Sequence, residues 1–303
     1  MLFYFILTTM KIFCIFVLAL CGAATASVER VTGGNIAQPN QFPSAVSIQH
    51  TMQAEPSRLI QGHVCGGTLV TRLYVLTTGT CIMQTQEPDS LPIIMNQYRV
   101  YAGGVNLQEH NVDRIRIPVN ITLHRDYIGP PAYVNNLAII GLNAPFGNDI
   151  IPVVLPSAGS QLPTMTQCYA AGWGADHINF SESSVQRYVS NYIYDQQVCT
   201  IRYNLNSWMN ILPSMLCAAS WDIVSAGCTG DIGNGLICNG TLHGVLSVSN
   251  NCHGNGVPEV YVRVADYVPW IREVTGASST IQPGMAMLVL FAVIQFITVK
   301  IIS

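Results

Sequence analysis

The side chains that could do covalent or coordination chemistry in this chain are ten cysteines, seven histidines and sixteen carboxylates. Cysteine and histidine at short, regular spacing would hold zinc, and a histidine placed against a serine would activate it as a nucleophile. The chain has no Cys-x-x-Cys and no Cys/His pairing at ligand spacing, so no metal is expected. His50, His110, His177, His243 and His253 stand near no serine-bearing motif. His63 precedes Cys65 by two residues, and His124 lies in the turn-like string His124-Arg125-Asp126-Tyr127. All seven are expected to be structural or solvated.

The cysteines point to a compartment. Residues 1–26 read as a secretory signal, with Lys11 as its charge, an apolar run Ile12–Leu20 and the small residues Ala24-Thr25-Ala26 before Ser27. Met10 offers an alternative start. An uncleaved anchor is the rival, and the shortness of the run argues against it. Cys14 and Cys21 leave with the signal. The eight that remain (Cys65, Cys81, Cys168, Cys199, Cys217, Cys228, Cys238, Cys252) suggest four disulfides in an oxidising environment, and counting alone leaves 105 pairings open. Asn120, Asn179 and Asn239 head Asn-x-Ser/Thr glycosylation sequons.

Charge excludes other classes. Charged residues make up 10% of the chain, against roughly 25% in an average globular protein. Residues 31–275 carry 10 Arg and 15 Asp or Glu, a net of −5, with no basic run, so no nucleic-acid partner is expected. The apolar ends account for the mean hydropathy of +0.35. At the C-terminus, residues 276–303 form a hydrophobic tail: small residues Gly276–Ser279, a polar spacer, then the uncharged run Met285–Val299 and Lys300. That order resembles a glycolipid-anchor signal. A membrane helix and an apolar tail packed on the domain both stay open.

Positioning falls to strands. Gly67–Val70, Tyr74–Thr77, Leu137–Ile140 and Gly244–Ser247 are rich in β-formers, and Gly, Pro and Asn clusters punctuate the chain every 8 to 12 residues or so, as in an all-β sandwich or barrel. One helix is expected over residues 266–274, where Tyr267, Trp270, Ile271 and Val274 recur at helical spacing.

Six dispersed strings then fall into one known order. Arg30-Val31-Thr32-Gly33-Gly34 with Gln41-Phe42-Pro43, Cys65–Val70 with Val75-Leu76-Thr77, Gly172-Trp173-Gly174, Gly230-Asp231, Pro258–Val264, and Tyr267 with Trp270-Ile271 resemble the trypsin-like serine proteases. The resemblance covers residues 31–275 and implies two packed antiparallel six-stranded β-barrels with a C-terminal helix. It implies the disulfides Cys65–Cys81, Cys168–Cys238, Cys199–Cys217 and Cys228–Cys252. It also implies a propeptide at 27–30, cleavage between Arg30 and Val31, and a pairing of the new Val31 amino group with Asp231, for which His63 would substitute before cleavage.

The same resemblance locates the catalytic triad and finds other residues there. Where the family has Ala-Ala-His-Cys this chain has Thr78-Gly79-Thr80-Cys81. Where it has Asn-Asp-Ile-Ala-Leu-Leu this chain has Asn135-Asn136-Leu137-Ala138-Ile139-Ile140. Where it has Gly-Asp-Ser-Gly-Gly-Pro this chain has Gly230-Asp231-Ile232-Gly233-Asn234-Gly235. Thr80, Asn136 and Ile232 supply neither base, carboxylate nor nucleophile. The specificity pocket is altered as well: Ala226 at its floor, Val248 and Ser249 at its edge, Glu259 on its wall. Glu259 is either the charge of a rebuilt acidic pocket or part of a plug. The resulting expectation is a catalytically inactive, secreted or cell-surface homologue, without cofactor, that binds an extracellular protein such as a protease or inhibitor as cofactor, decoy or regulator. The alternatives are a trypsin-like endopeptidase and a passive surface component.

The tail yields a first expectation. Phosphatidylinositol-specific phospholipase C should release the protein from the cell surface. Retention despite the enzyme would identify a membrane helix, and recovery of Met285–Ser303 on protein in the medium would rule out both anchors.

Overall fold

The computed structural model describes residues 34–51, 62–83, 95–109, 111–175, 183–205, 209–221, 227, 230–249 and 257–276. The signal, propeptide and tail, together with Arg30, Val31, Ala226, Cys228, Cys252, Asn179, His110, His177 and His253, lie outside them.

The strand signals resolve into two antiparallel sheets. The first contains β2 (Ala45–His50), β3 (His63–Thr71), β4 (Tyr74–Thr77), β5 (Tyr98–Ala102), β6 (Ile115–Arg116), β7 (Pro118–Leu123) and β8 (Ala138–Leu142), in the order β6-β5-β2-β3-β4-β8-β7. The second contains β1 (Asn35–Ile36), β9 (Gln167–Gly172), β10 (Arg187–Ile193), β11 (Met215–Ser220), β12 (Gly235–Cys238), β13 (Thr241–Val248) and β14 (Glu259–Arg263), in the order β1-β10-β11-β14-β13-β12-β9. Strand β9 also pairs with β10, so six strands close a barrel and β1 rides outside it. Six strands per barrel are thus joined by one extra two-residue strand each, β1 and β6, which are too short to show an alternating pattern. The architecture is chymotrypsin-like.

Each barrel buries its inward side chains in its own core: Val46, Leu69, Val100 and Ile140 in the first, Leu216, Leu236, Leu246 and Tyr261 in the second. A third cluster joins them, packing Leu76 and Ile139 against Val245, Val262, Val268 and Ile271. Among the described residues three α-helices accompany these strands: α1 (Gly79–Met83), α2 (Gln196–Leu205) and α3 (Val264–Thr275). The closing helix α3 is longer than its sequence periodicity indicates and contains Pro269. Proline has no N–H to give the carbonyl four residues back. That carbonyl, Ala265 O, instead accepts from Gly159 N–H at 2.9 Å.

Among the described residues three disulfides are present: Cys65–Cys81 ties β3 to α1, Cys168–Cys238 ties β9 to β12, and Cys199–Cys217 ties α2 to β11. Their loops of 16, 70 and 18 residues differ in the chain entropy that closure removes. Replacing Cys168 and Cys238 together by alanine should therefore cost about 4 kcal/mol, and replacing Cys65 and Cys81 about 3. Urea unfolding under non-reducing conditions measures both, and an undiminished midpoint in either variant would contradict this.

Candidate functional site

The residues singled out by sequence converge where the two barrels meet. Thr78 follows β4 and organises α1: its Oγ1 accepts from Cys81 N–H at 3.3 Å and from the Thr80 hydroxyl at 3.1 Å. Asn136 enters from the turn before β8. Its Oδ1 accepts from Thr80 N–H at 2.9 Å, and its Nδ2 donates to Thr80 Oγ1 at 3.2 Å and to Ser247 Oγ at 2.8 Å. All four residues are buried. The preceding Asn135 takes a left-handed φ of 48°, which asparagine tolerates well, and aims the next residue inward. Tyr267 of α3 holds that turn by donating to Asn135 Oδ1 at 2.8 Å.

Ile232 arrives on the turn 230–234. Gly230 and Gly233 flank it with φ of 92° and 93°. A Cβ on Gly233 would strike Gly66 O and Thr77 Oγ1. The turn is stitched to both barrels: Ile232 O accepts from Gly66 N–H at 2.8 Å, and Gly233 N–H donates to Leu246 O at 2.9 Å. The half-buried Ile232 side chain packs against both barrel cores.

Beside it, Asp231 Oδ1 accepts from Gly174 N–H at 3.0 Å and from Asn234 Nδ2 at 2.9 Å. His63 is fully buried, and burial pushes its pKa down to about 4, against a weaker upward pull from its bond to Gly230. It is therefore neutral near pH 7 with one N–H. Gly230 O, 3.0 Å from Nε2, can only accept, so Nε2 carries the proton and Nδ1 accepts from the Ser47 hydroxyl at 2.8 Å. Both ring nitrogens are thus occupied, and the histidine acts on the backbone of the Asp231 turn. A small cavity of about 40 Å³ faces Asp231 and Glu259, with walls of Gly172, Gly174, Ala175 and Val189. Gly34, three residues after Val31, packs on Tyr188 and Val189 at its edge.

An open cleft of about 590 Å³ runs over Thr80, Met83, Tyr127, Tyr133, Ile232, Val248 and Ser249, and among the described residues every one lining it is uncharged. Two residues that the resemblance singles out, Ser249 and Glu259, act on the two backbone groups of Gly227. Ser249 Oγ donates to Gly227 O at 2.7 Å, and Gly227 N–H donates to Glu259 Oε1. Glu259 Oε2 accepts from Asn191 Nδ2 at 2.9 Å and from Tyr261 OH at 2.5 Å. Glu259 is 3% exposed. Desolvation raises its pKa to about 6 and outweighs the bonds from Tyr261, Gly227 and Asn191, with the Asp231 charge adding to the rise. The Asn191 contact spans 68 residues and carries no local signal, so sequence reasoning missed it.

Of the sequons, Asn120 is exposed on β7, and Asn239 is exposed at the hairpin turn it forms with Gly240. Among the described residues no group of three or more His, Cys, Asp or Glu side chains could hold a metal ion.

A family model described as Trypsin matches residues 31–271. The chain belongs to the trypsin family. Within this trypsin-family chain, the network of Thr80, Asn136 and Ser247 and the Ile232 turn occupy the seam that the family's motifs frame, and the Gly227 clamp occupies the adjoining pocket wall.

Folding raises the Glu259 pKa from its ordinary 4.5 to about 6, so the native state binds that proton more tightly. The contribution favours the fold below 4.5 and is lost as pH rises through 6, a swing of about 2 kcal/mol. His63 runs the other way: its stabilisation is present above 6.5 and is lost as pH falls through 4. Urea unfolding of wild type and Glu259→Gln between pH 4.5 and 7 isolates the first effect. Wild type should gain on the variant by about 2 kcal/mol on acidification, and a difference independent of pH would contradict the assignment.

Proposed function

We propose that this trypsin-family chain works outside the cell by binding a protein without cleaving it. The observation that carries the reading is the seam: Thr80, Asn136 and Ser247 satisfy one another, and Ile232 fills the space between the barrels. Acyl transfer by a serine protease needs an imidazole to take the hydroxyl proton, a carboxylate to hold the imidazole, and a serine oxygen to attack. A threonine hydroxyl takes no proton near neutral pH, a carboxamide carries no charge, and an alkyl side chain has no lone pair. Loss of the base or nucleophile alone costs on the order of 10⁶-fold in comparable enzymes.

The pocket supports the same reading. Every Glu259 oxygen contact is internal, which favours a plug over a rebuilt acidic floor. The cleft above is open and its described lining is uncharged, suited to an extended, neutral segment of a protease, an inhibitor or another extracellular protein. Such a chain is a cofactor, decoy or regulator of proteolysis, delivered by the signal at 1–26. The open cleft favours this role over that of a passive surface component.

A fluorophosphonate probe should leave the purified chain unlabelled, whether or not Arg30–Val31 is cut. Ile232→Ser alone should stay silent, because triad members act as a unit. Thr80→His with Asn136→Asp and Ile232→Ser should give weak turnover at most while Ser249 and Glu259 clamp Gly227. Labelling of the wild type, or efficient cleavage of a standard trypsin substrate by the triple variant, would overturn the proposal.

A further inference from the structure

Helix α2 turns one face inward, where Cys199 and Tyr203 are buried in a cluster with Met215 and Cys217 of β11. Val198, Ile201 and Leu205 recur at i, i+3 and i+7 on another face and are 42%, 57% and 79% exposed. A surface helix of a soluble domain normally carries polar side chains there. The neighbouring chain extends this apolar surface. Trp221 is 75% exposed and meets the Tyr192 ring at 6.0 Å, edge to face. The Arg202 guanidinium lies 5.6 Å over the ring of Tyr194, two residues further on. The nearby Asp195 is engaged in capping α2, its Oδ1 accepting from Val198 N–H at 2.9 Å. Aliphatic side chains with tryptophan, tyrosine and arginine at their margin form the composition that settles at a water–lipid boundary.

The chain itself points to lipid as the occupant. Beyond Gly276, the C-cap of α3, come 27 more residues, among them the uncharged run Met285–Val299. In the helical form the nine residues from Gly276 to Met285 span at most about 30 Å, and in the glycolipid form the lipid is carried by the Gly276–Ser279 cluster that directly follows α3 in sequence. Helix α3 is itself about 18 Å long. It starts beside α2, where the guanidinium of its N-cap Arg263 donates to Gln196 Oε1 at 3.1 Å. A bilayer gripping the tail is within reach of the exposed ridge.

We propose that α2 and Trp221 lie on the bilayer to which the C-terminal tail fastens the chain, with the ridge Val198, Ile201 and Leu205 entering the headgroup layer. The proposal rests on the reading of the tail as an anchor, in either its glycolipid or its helical form, and is independent of the proposed loss of catalysis. It orients the domain on the membrane.

The mature chain, purified from cell membranes and reconstituted into phosphatidylcholine vesicles with brominated acyl chains, tests this. Bromine quenches tryptophan emission on contact. The share of emission due to Trp221, taken as the difference from Trp221→Phe, should be lost in these vesicles and kept in unbrominated ones. Ile201→Asp with Leu205→Asp, both at exposed positions, should restore it while the protein stays vesicle-bound. Unchanged Trp221 emission on a vesicle-bound chain would overturn the docking and leave the anchor. Failure of the chain to associate with vesicles at all would overturn the anchor reading and the docking with it. On intact cells, a photo-cross-linker at position 221 should capture lipid, and capture of a protein instead would also overturn the proposal.

Discussion

Two β-barrels pressed together leave little water at their seam, so each polar group there needs a partner within the protein. A buried donor or acceptor without one costs about 1–3 kcal/mol. Here the requirement is met by exchanges across long stretches of chain: Asn136 to Ser247, Gly66 to Ile232, His63 to Gly230. Each bond joins the first barrel to the second. The turn 230–234 takes part in the last two, and its Gly233 lets backbone approach backbone where a Cβ would collide with Gly66 O. The seam's chemistry and the packing of the barrels are therefore one problem, and Thr80, Asn136 and Ile232 solve it without a charge.

The same economy governs the pocket. Ser249 and Glu259 grip the two backbone groups of Gly227, its carbonyl and its N–H. A carboxylate in that setting is tolerable because three donors surround it, and the rise of its pKa to about 6 is the residual cost of its burial. The result is a wall held from within beneath a cleft that stays open.

Much of this was legible in the chain. Strands such as Tyr74–Thr77 follow from β-branched and aromatic runs bounded by turn residues, and the motif order gave the barrels and the three disulfides of the described residues. Thr80, Asn136 and Ile232 were visible because part of each surrounding motif is kept: Cys81 beside the first, Asn135 and Ala138 around the second, Gly230, Asp231 and Gly233 around the third. Other features were not. β1 and β6 hold two residues each, too few for a period. Helix α3 begins at Val264, where the apolar run of β14 gives no boundary. The Gly227 clamp and the Asn136–Ser247 bond pair residues 22, 32 and 111 positions apart, and such contacts exist only once the barrels are folded. The exposed face of α2 was likewise hidden, since an aliphatic at helical spacing reads as core until burial shows otherwise.

The central claim is that the seam offers a reacting carbonyl neither a base nor a serine nucleophile. Enzymes bind transition-state analogues 10²- to 10⁸-fold more tightly than substrates. The direct measurement is a calorimetric comparison of one cleft-directed peptide carrying either a boronic acid, which mimics the tetrahedral intermediate once a serine oxygen adds to it, or a plain carboxamide. The account predicts that the two bind alike or not at all. A preference for the boronic acid of about 10²-fold or more would contradict it.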